Sequence, residues 1–192
     1  MRNDIAKAKD DYLEKIYKYI KVYAFERPKN KWSWDTFAPG LMNIIYESLA
    51  STYSITAKAA EKIYNITFTD KIDEETLKKL TYSADGKSLE ERLELHFNNA
   101  IQRDNPKDYL YNRIVLIMDT ETLYASNHVI HGKLKRRAKY AEVLGSPECH
   151  DEESGKCEYY VSKGKMLIEE LDELPPYHPD CECEVIYYLD EE

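Results

Sequence analysis

The feature that most constrains this chain is a helical repeat of apolar side chains that glycine hardly interrupts. Ile5, Tyr12, Leu13, Ile16, Tyr19, Ile20 and Tyr23 recur at intervals of three and four, with lysines and acids between them. Asn3 or Asp4 can cap this first helix. Arg27–Lys31, with Pro28 and Asn30, reads as a break. Trp32, Trp34 and Phe37 follow it, and their reading is core packing. Leu41, Ile44, Ile45 and Leu49 then start a second helix running on to Tyr64, with a kink near Ser51–Ser54. Only 6 of the 192 residues are glycine, which favours long helices over many tight turns.

A short helix is expected over Asp73–Leu80, then a turn at Asp85-Gly86. Ser88 stands three residues before Glu91, a capping box for a helix carrying Leu89, Leu93, Phe97 and Ile101. Asn105-Pro106 ends it. A fourth helix fits Lys107 to about His131, with Gly132 as its stop. Beyond Gly132 the pattern changes. Tyr140–Leu144, Tyr159–Val161 and Glu184–Leu189 read as short strands, Met166–Leu171 as a helical turn or another strand, and Gly145–Gly155 as a polar loop. The fold class is therefore α+β: a mainly helical body followed by a small C-terminal module of short antiparallel strands. The helical region 1–70 carries a tyrosine-rich stripe expected to meet a partner molecule.

Length and charge narrow the function. A chain of 192 residues can bury roughly 70% of its unfolded surface, so it needs no metal merely to fold. The net charge of −9 disfavours genome binding as the main role, since phosphate neutralisation supplies most non-specific affinity. Lys133, Lys135, Arg136, Arg137 and Lys139 nonetheless form a basic patch. It reads as a solvated or partner-facing surface, with weak DNA contact as the alternative. Seventeen tyrosines suit either a core rim or a surface buried on partners. No apolar run is long enough to span a membrane, and Met1–Asp10 does not read as a signal peptide. Synthesis in a reducing cytoplasm is the expectation, and there clustered cysteines are more often metal ligands than disulfides.

All four cysteines, Cys149, Cys157, Cys181 and Cys183, lie in the last 44 residues, with His150 and His178 among them. Thiolate and imidazole ligands in a tetrahedral set suit one structural zinc, held by Cys149, Cys157, His178 and Cys181 or Cys183. The loop around Cys149 and Cys157 has too little apolar content to order itself by burial, so an ion would supply that free energy. Free buried thiols and a disulfide are the other readings.

The closing run Pro175-Pro176-Tyr177-His178-Pro179-Asp180-Cys181-Glu182-Cys183 resembles the final motif of the phage head morphogenesis proteins, the Mu F-like minor head family. Two further segments resemble that family in the same order: Ser83–Ser88 followed by Glu91-Arg92, and Asp119-Thr120-Glu121-Thr122 followed by Ala125 and Asn127. Asp119 stands where the family usually has arginine, and Cys157 lies beyond the usual place of the second cysteine. The resemblance covers about residues 81–188, within a 71–192 head-protein region. It implies a structural minor capsid protein of a tailed phage, present in few copies near the portal vertex and acting in head assembly or genome delivery. Its partners would be the portal protein, other capsid proteins or a second copy of itself. It would sit in the host cytoplasm during assembly and in the virion afterwards. Some relatives carry toxin or transferase domains after this motif; with nine residues after Cys183, none is expected here.

Two further expectations follow. Glu121 should be buried and paired with Arg92 or Arg113 across two packed helices. No catalytic residue is assigned. The rival enzyme readings are a metal-dependent nuclease or a toxin-like transferase using the Cys/His cluster; Glu121 with His128 and His131 is a weaker acid-base set, since histidines near a helix end are more often solvated there.

Overall fold

The structure is a computed structural model that describes residues 2–67, 77–78, 81, 86–145, 149, 155–178 and 181–189. Helix α1 (Arg2–Glu26) leads through a 3-10 turn (Lys29–Lys31) into α2 (Trp34–Tyr64). Then come α3 (Leu89–Ile101), α4 (Pro106–Leu134), β1 (Ala138–Leu144), α5 (Lys156–Lys163), β2 (Lys165–Leu167) and β3 (Glu184–Leu189). The three strands form one antiparallel sheet in the order β2-β1-β3, with Ala141 opposite both Met166 and Tyr187. The fold is thus α+β, a helical body followed by a small antiparallel module. Among the described residues, no helix is long and apolar enough to cross a membrane.

The α1 stripe is buried: Leu13, Ile16, Ile20 and Tyr23 join Phe37, Leu41, Ile45 and Leu49 of α2, Leu93 and Phe97 of α3, and Leu110, Ile114 and Met118 of α4. The sequence suggested that this stripe waits for another molecule. Instead α2 and α4 cover it within the chain, so the core runs across residue 70. The aromatics after the break belong to this core, with Phe37 and Phe97 stacked at 4.9 Å.

Helix α2 starts at Trp34, earlier than its apolar repeat suggested, and takes Pro39 and Gly40 into its opening turns. Proline there removes one backbone donor. The Tyr19 hydroxyl donates to the Phe37 carbonyl at 2.7 Å, and its ring lies where a Cβ on residue 40 would sit. Glycine is what lets α1 approach. The helix is continuous through Ser51–Ser54.

The capping box forms as the sequence indicates: the Glu91 amide donates to Ser88 Oγ, and the Ser88 amide to Glu91 Oε2 at 2.7 Å. Gly132 does not stop α4. The helix continues to Leu134 because Ile130 and Leu134 are buried in a second core. Tyr159–Val161 is not a strand but part of α5. Cys157 and Tyr160, three apart, form its buried face, and glycines at positive φ (Gly155, Gly164) bound it. Three residues cannot distinguish a period of 2 from one of 3.6. Met166 and Leu167 are in β2, followed by a 3-10 turn at Ile168–Glu170. The expected helix at Asp73–Leu80 lies outside the described residues except Leu77 and Lys78, which are helical; Asp85 and most of Gly145–Gly155 also lie outside.

Candidate metal centre

Three separate pieces of chain bring the sulfurs together. Cys149 follows β1. Cys157 sits in the first turn of α5, where the helix dipole favours a thiolate. Cys181 and Cys183 lead into β3, with a turn in which the Cys181 amide donates to the His178 carbonyl at 3.2 Å. Cys157, Cys181 and Cys183 are buried and Cys149 is half-buried.

Cys149 Sγ lies 3.7 Å from Cys157, 3.9 Å from Cys181 and 3.8 Å from Cys183. Cys157 Sγ lies 3.7 Å from both Cys181 and Cys183. The sixth pair, Cys181 and Cys183, is within 4.8 Å. All four cysteines are free thiols, their sulfurs too far apart for S–S bonds of about 2.05 Å. Four sulfurs about 2.3 Å from a common centre in a tetrahedron would be about 3.8 Å apart. Five of the six edges therefore match a tetrahedral thiolate site, and the four cysteines could bind one metal ion.

Comparison with family models, with curated proteins and with solved structures finds no match. The reading of this site rests on its own chemistry.

That chemistry favours a cation. The hydrogen bond from the Cys183 thiol draws Cys181 down to about 5, against the opposing effect of burial. The same hydrogen bond, with burial and the charge on Cys181, pushes Cys183 well up. Burial, then the charge on Cys181, pushes Cys157 up too. Without a cation, burial and like charge at 3.7 Å thus oppose full ionisation of the cluster. A divalent ion removes that opposition.

His178 is not one of the four converging sulfurs but stands beside them, its Nε2 3.3 Å from Cys149 Sγ. The Glu182 amide also donates to Cys149 Sγ, at 3.4 Å. These contacts can orient the half-buried sulfur and offset its charge. His150 lies outside the described residues.

The module is fastened to the body by a residue whose role the sequence did not reveal. Asn127, buried on α4, donates from Nδ2 to the Pro175 carbonyl at 3.1 Å and the Cys183 carbonyl at 3.4 Å. A run of small polar residues, Thr122, Ser126 and Asn127, at helical spacing beside Ala125, Val129 and Ile130 is the signal that could have marked it. Tyr177 stacks on Tyr160, rings 9° from parallel and 5.0 Å apart, and the Tyr160 hydroxyl bonds to Asp172. His131 Nδ1 meets the Tyr187 hydroxyl at 3.1 Å.

The expected ion pair joins α3 to α4: Arg92 Nη2 contacts Glu121 Oε1, and the Glu121 side chain is fully buried. Arg113 instead lies over the Tyr109 ring. His128 stacks against Tyr124 at 3.9 Å, while Glu121 faces Arg92.

Proposed function

We propose that this chain is a structural minor head protein of a tailed bacteriophage, with a C-terminal module fastened by one zinc ion. The observation that carries the metal assignment is the set of sulfur–sulfur distances of 3.7–3.9 Å, close to the edge of a tetrahedral zinc–thiolate site. Four thiolates complete the coordination of zinc and leave no position for water or substrate. That favours a structural ion over the nuclease or transferase reading, each of which needs an open ligand position.

The head-protein reading is supported by how the resembling segments meet. Arg92 after the Ser88 capping box pairs with Glu121 of the second segment. Asn127 of that second segment holds the carbonyls of Pro175 and Cys183 in the closing run. Segments far apart in sequence thus make one contiguous framework, which suits a rigid part of an assembly. Its partners on this reading are the portal protein and neighbouring capsid proteins, met first in the host cytoplasm and then in the virion.

Two measurements test the two halves separately. Elemental analysis of protein purified under reducing conditions should find about one zinc per chain; protein without metal ends the zinc reading. Mass spectrometry of purified particles should find the chain in few copies, and particles lacking it would end the head-protein reading.

A further inference from the structure

The net charge of −9 conceals a segregation that the fold makes visible. Residues 133–139 carry five cations and no acid, so the remainder of the chain carries −14. The turn after α4 is held by backbone bonds from the Lys135 amide to the His131 carbonyl at 2.9 Å and from the Arg137 amide to the Leu134 carbonyl at 2.8 Å. It therefore presents Lys135, Arg136 and Arg137 to solvent in a fixed order. Lys139 follows, exposed on β1 with its Nζ 5.5 Å from the Tyr140 ring centre.

The sheet adds one more cation, Lys165. Ala141, Val143, Val185 and Tyr187 face the module core, which leaves Tyr140 and its cross-strand neighbour Tyr188 on the opposite face. Lys165 from β2 lies over both rings, at 4.9 Å and 4.1 Å. Among the described residues, Lys135, Arg136, Arg137, Lys139 and Lys165 make no ion pair with an acid. Glu142, directly opposite Lys165 in the sheet, accepts from the Tyr188 hydroxyl at 2.5 Å.

We propose that the turn Lys135–Arg137, with Lys139 and Lys165, is a docking edge for the phosphate backbone of duplex DNA. The cations come from the turn after α4, from β1 and from β2, a spread arrangement that suits a row of phosphates better than one compact anion. Both tyrosine rings already carry Lys165, so they are not free platforms for unpaired bases. The remainder of the chain carries a net charge of −14, which disfavours the approach of a polyanion away from this edge. This inference rests on charge placement and is independent of the head-protein reading.

The test is fluorescence anisotropy of a labelled 30-base-pair duplex of arbitrary sequence with the full-length protein, from 50 to 200 mM salt. Binding at 50 mM should weaken with a log–log salt slope of about −4.5, since each of five phosphates neutralised contributes about −0.9. The triple variant Lys135→Gln, Arg136→Gln, Arg137→Gln should bind at least about tenfold more weakly at 50 mM and lose about 3 from the magnitude of the slope. A control with the same charge change, Lys21→Gln, Lys58→Gln, Lys62→Gln, should keep the native slope; these three are exposed on α1 and α2. Absence of binding at 50 mM, or equal weakening by both triples, overturns the proposal. Displacement of the duplex by poly-glutamate at equal charge concentration also overturns it and assigns the edge to an acidic protein.

Discussion

At the centre of the helical body, Phe37 and Phe97 stack among Ile16, Leu41, Ile45 and Leu93. At the centre of the C-terminal module, four sulfurs occupy the corresponding place among Ala141, Val143, Tyr160 and Val185. The body buries large side chains from four helices, each worth about 1.5–3 kcal/mol when removed from water. The module has one eight-residue helix and strands of seven, three and six residues. Its core draws on these short elements together with Ala60 of α2 and Ile130 and Leu134 of α4. Between the two cores the α2–α4 seam carries small hydroxyl residues: Thr56 Oγ1 donates to Ser126 Oγ at 3.3 Å, and Ser126 to the Thr122 carbonyl at 2.8 Å. The first region has large aliphatic and aromatic side chains at its centre; the second has four thiols there, a cluster suited to being a cross-link.

The largest expected effect breaks the comparison in the module alone. Structural zinc contributes roughly 10–16 kcal/mol of apparent binding free energy in small thiolate sites. A chelator, or Cys183→Ser, should therefore release the module. Amide exchange in β1 and β3 should accelerate strongly, while the far-UV helical signal of α1 to α4 persists. If the helices melt at the same chelator concentration, the two regions are one cooperative unit and the contrast fails.

The next effect strikes the body. Arg92→Met leaves the Glu121 carboxylate buried without its guanidinium, and removing one member of such a pair costs about 3–5 kcal/mol. The double variant Arg92→Met, Glu121→Leu should recover most of that loss, because the desolvation cost disappears with the charges. Urea unfolding followed by helical signal measures both. Equal losses in the single and double variants would show that packing, not charge, dominates there.

A smaller effect probes the fastening between the regions. Asn127→Ala removes the donor to the Pro175 and Cys183 carbonyls. Leaving buried carbonyls without a donor costs about 1–3 kcal/mol. Because Cys183 adjoins the fastening, metal transfer to a competing chelator should quicken while the urea midpoint of the body moves little. A shift confined to the body would place the role of Asn127 elsewhere.

Long repeats were legible in the sequence, and short elements were not. The α1 stripe from Leu13 to Tyr23 and the Ser88–Glu91 box are each fixed by local spacing, so pattern alone located them. The early start of α2 was hidden because Pro39 and Gly40 look like a break. The need for glycine at 40 comes from Tyr19, a residue of another helix. The α1 stripe was visible, but not what covers it, since that is a matter of topology. In the module, the convergence of all four cysteines could be suspected from their clustering. That the sulfurs converge without the His178 nitrogen is set by the close approach of α5 and the segment before β3, which no spacing rule encodes. The Arg92–Glu121 pair was legible because each residue stands in a segment that resembles the head morphogenesis family, on helices whose apolar faces were expected to pack.

The smallest effect is set by pH and falls on α4, the helix shared by both cores. Burial pushes the His128 imidazole down to about 4, and the charge of His131 adds to the shift. Burial, then the charge of Lys135, also lowers His131. In the unfolded chain both titrate near about 6.5. Between those values the unfolded state binds the proton and the folded state does not, so falling pH favours unfolding. The contribution of His128 is complete above pH about 6.5 and is lost as pH falls toward about 4. Its slope is at most about 1 kcal/mol per pH unit, because the ring keeps some contact with solvent. Carboxylates and thiolate ligands also take up protons in this range, so the informative quantity is a difference. The urea midpoint of the native protein minus that of His128→Gln should shrink steadily from pH 7 to pH 5. A difference independent of pH would mean that the His128 imidazole binds its proton equally well folded and unfolded, and a difference that grows as pH falls would make its contact with Tyr124, ring centres 3.9 Å apart, a cation–ring contact rather than a buried neutral pair.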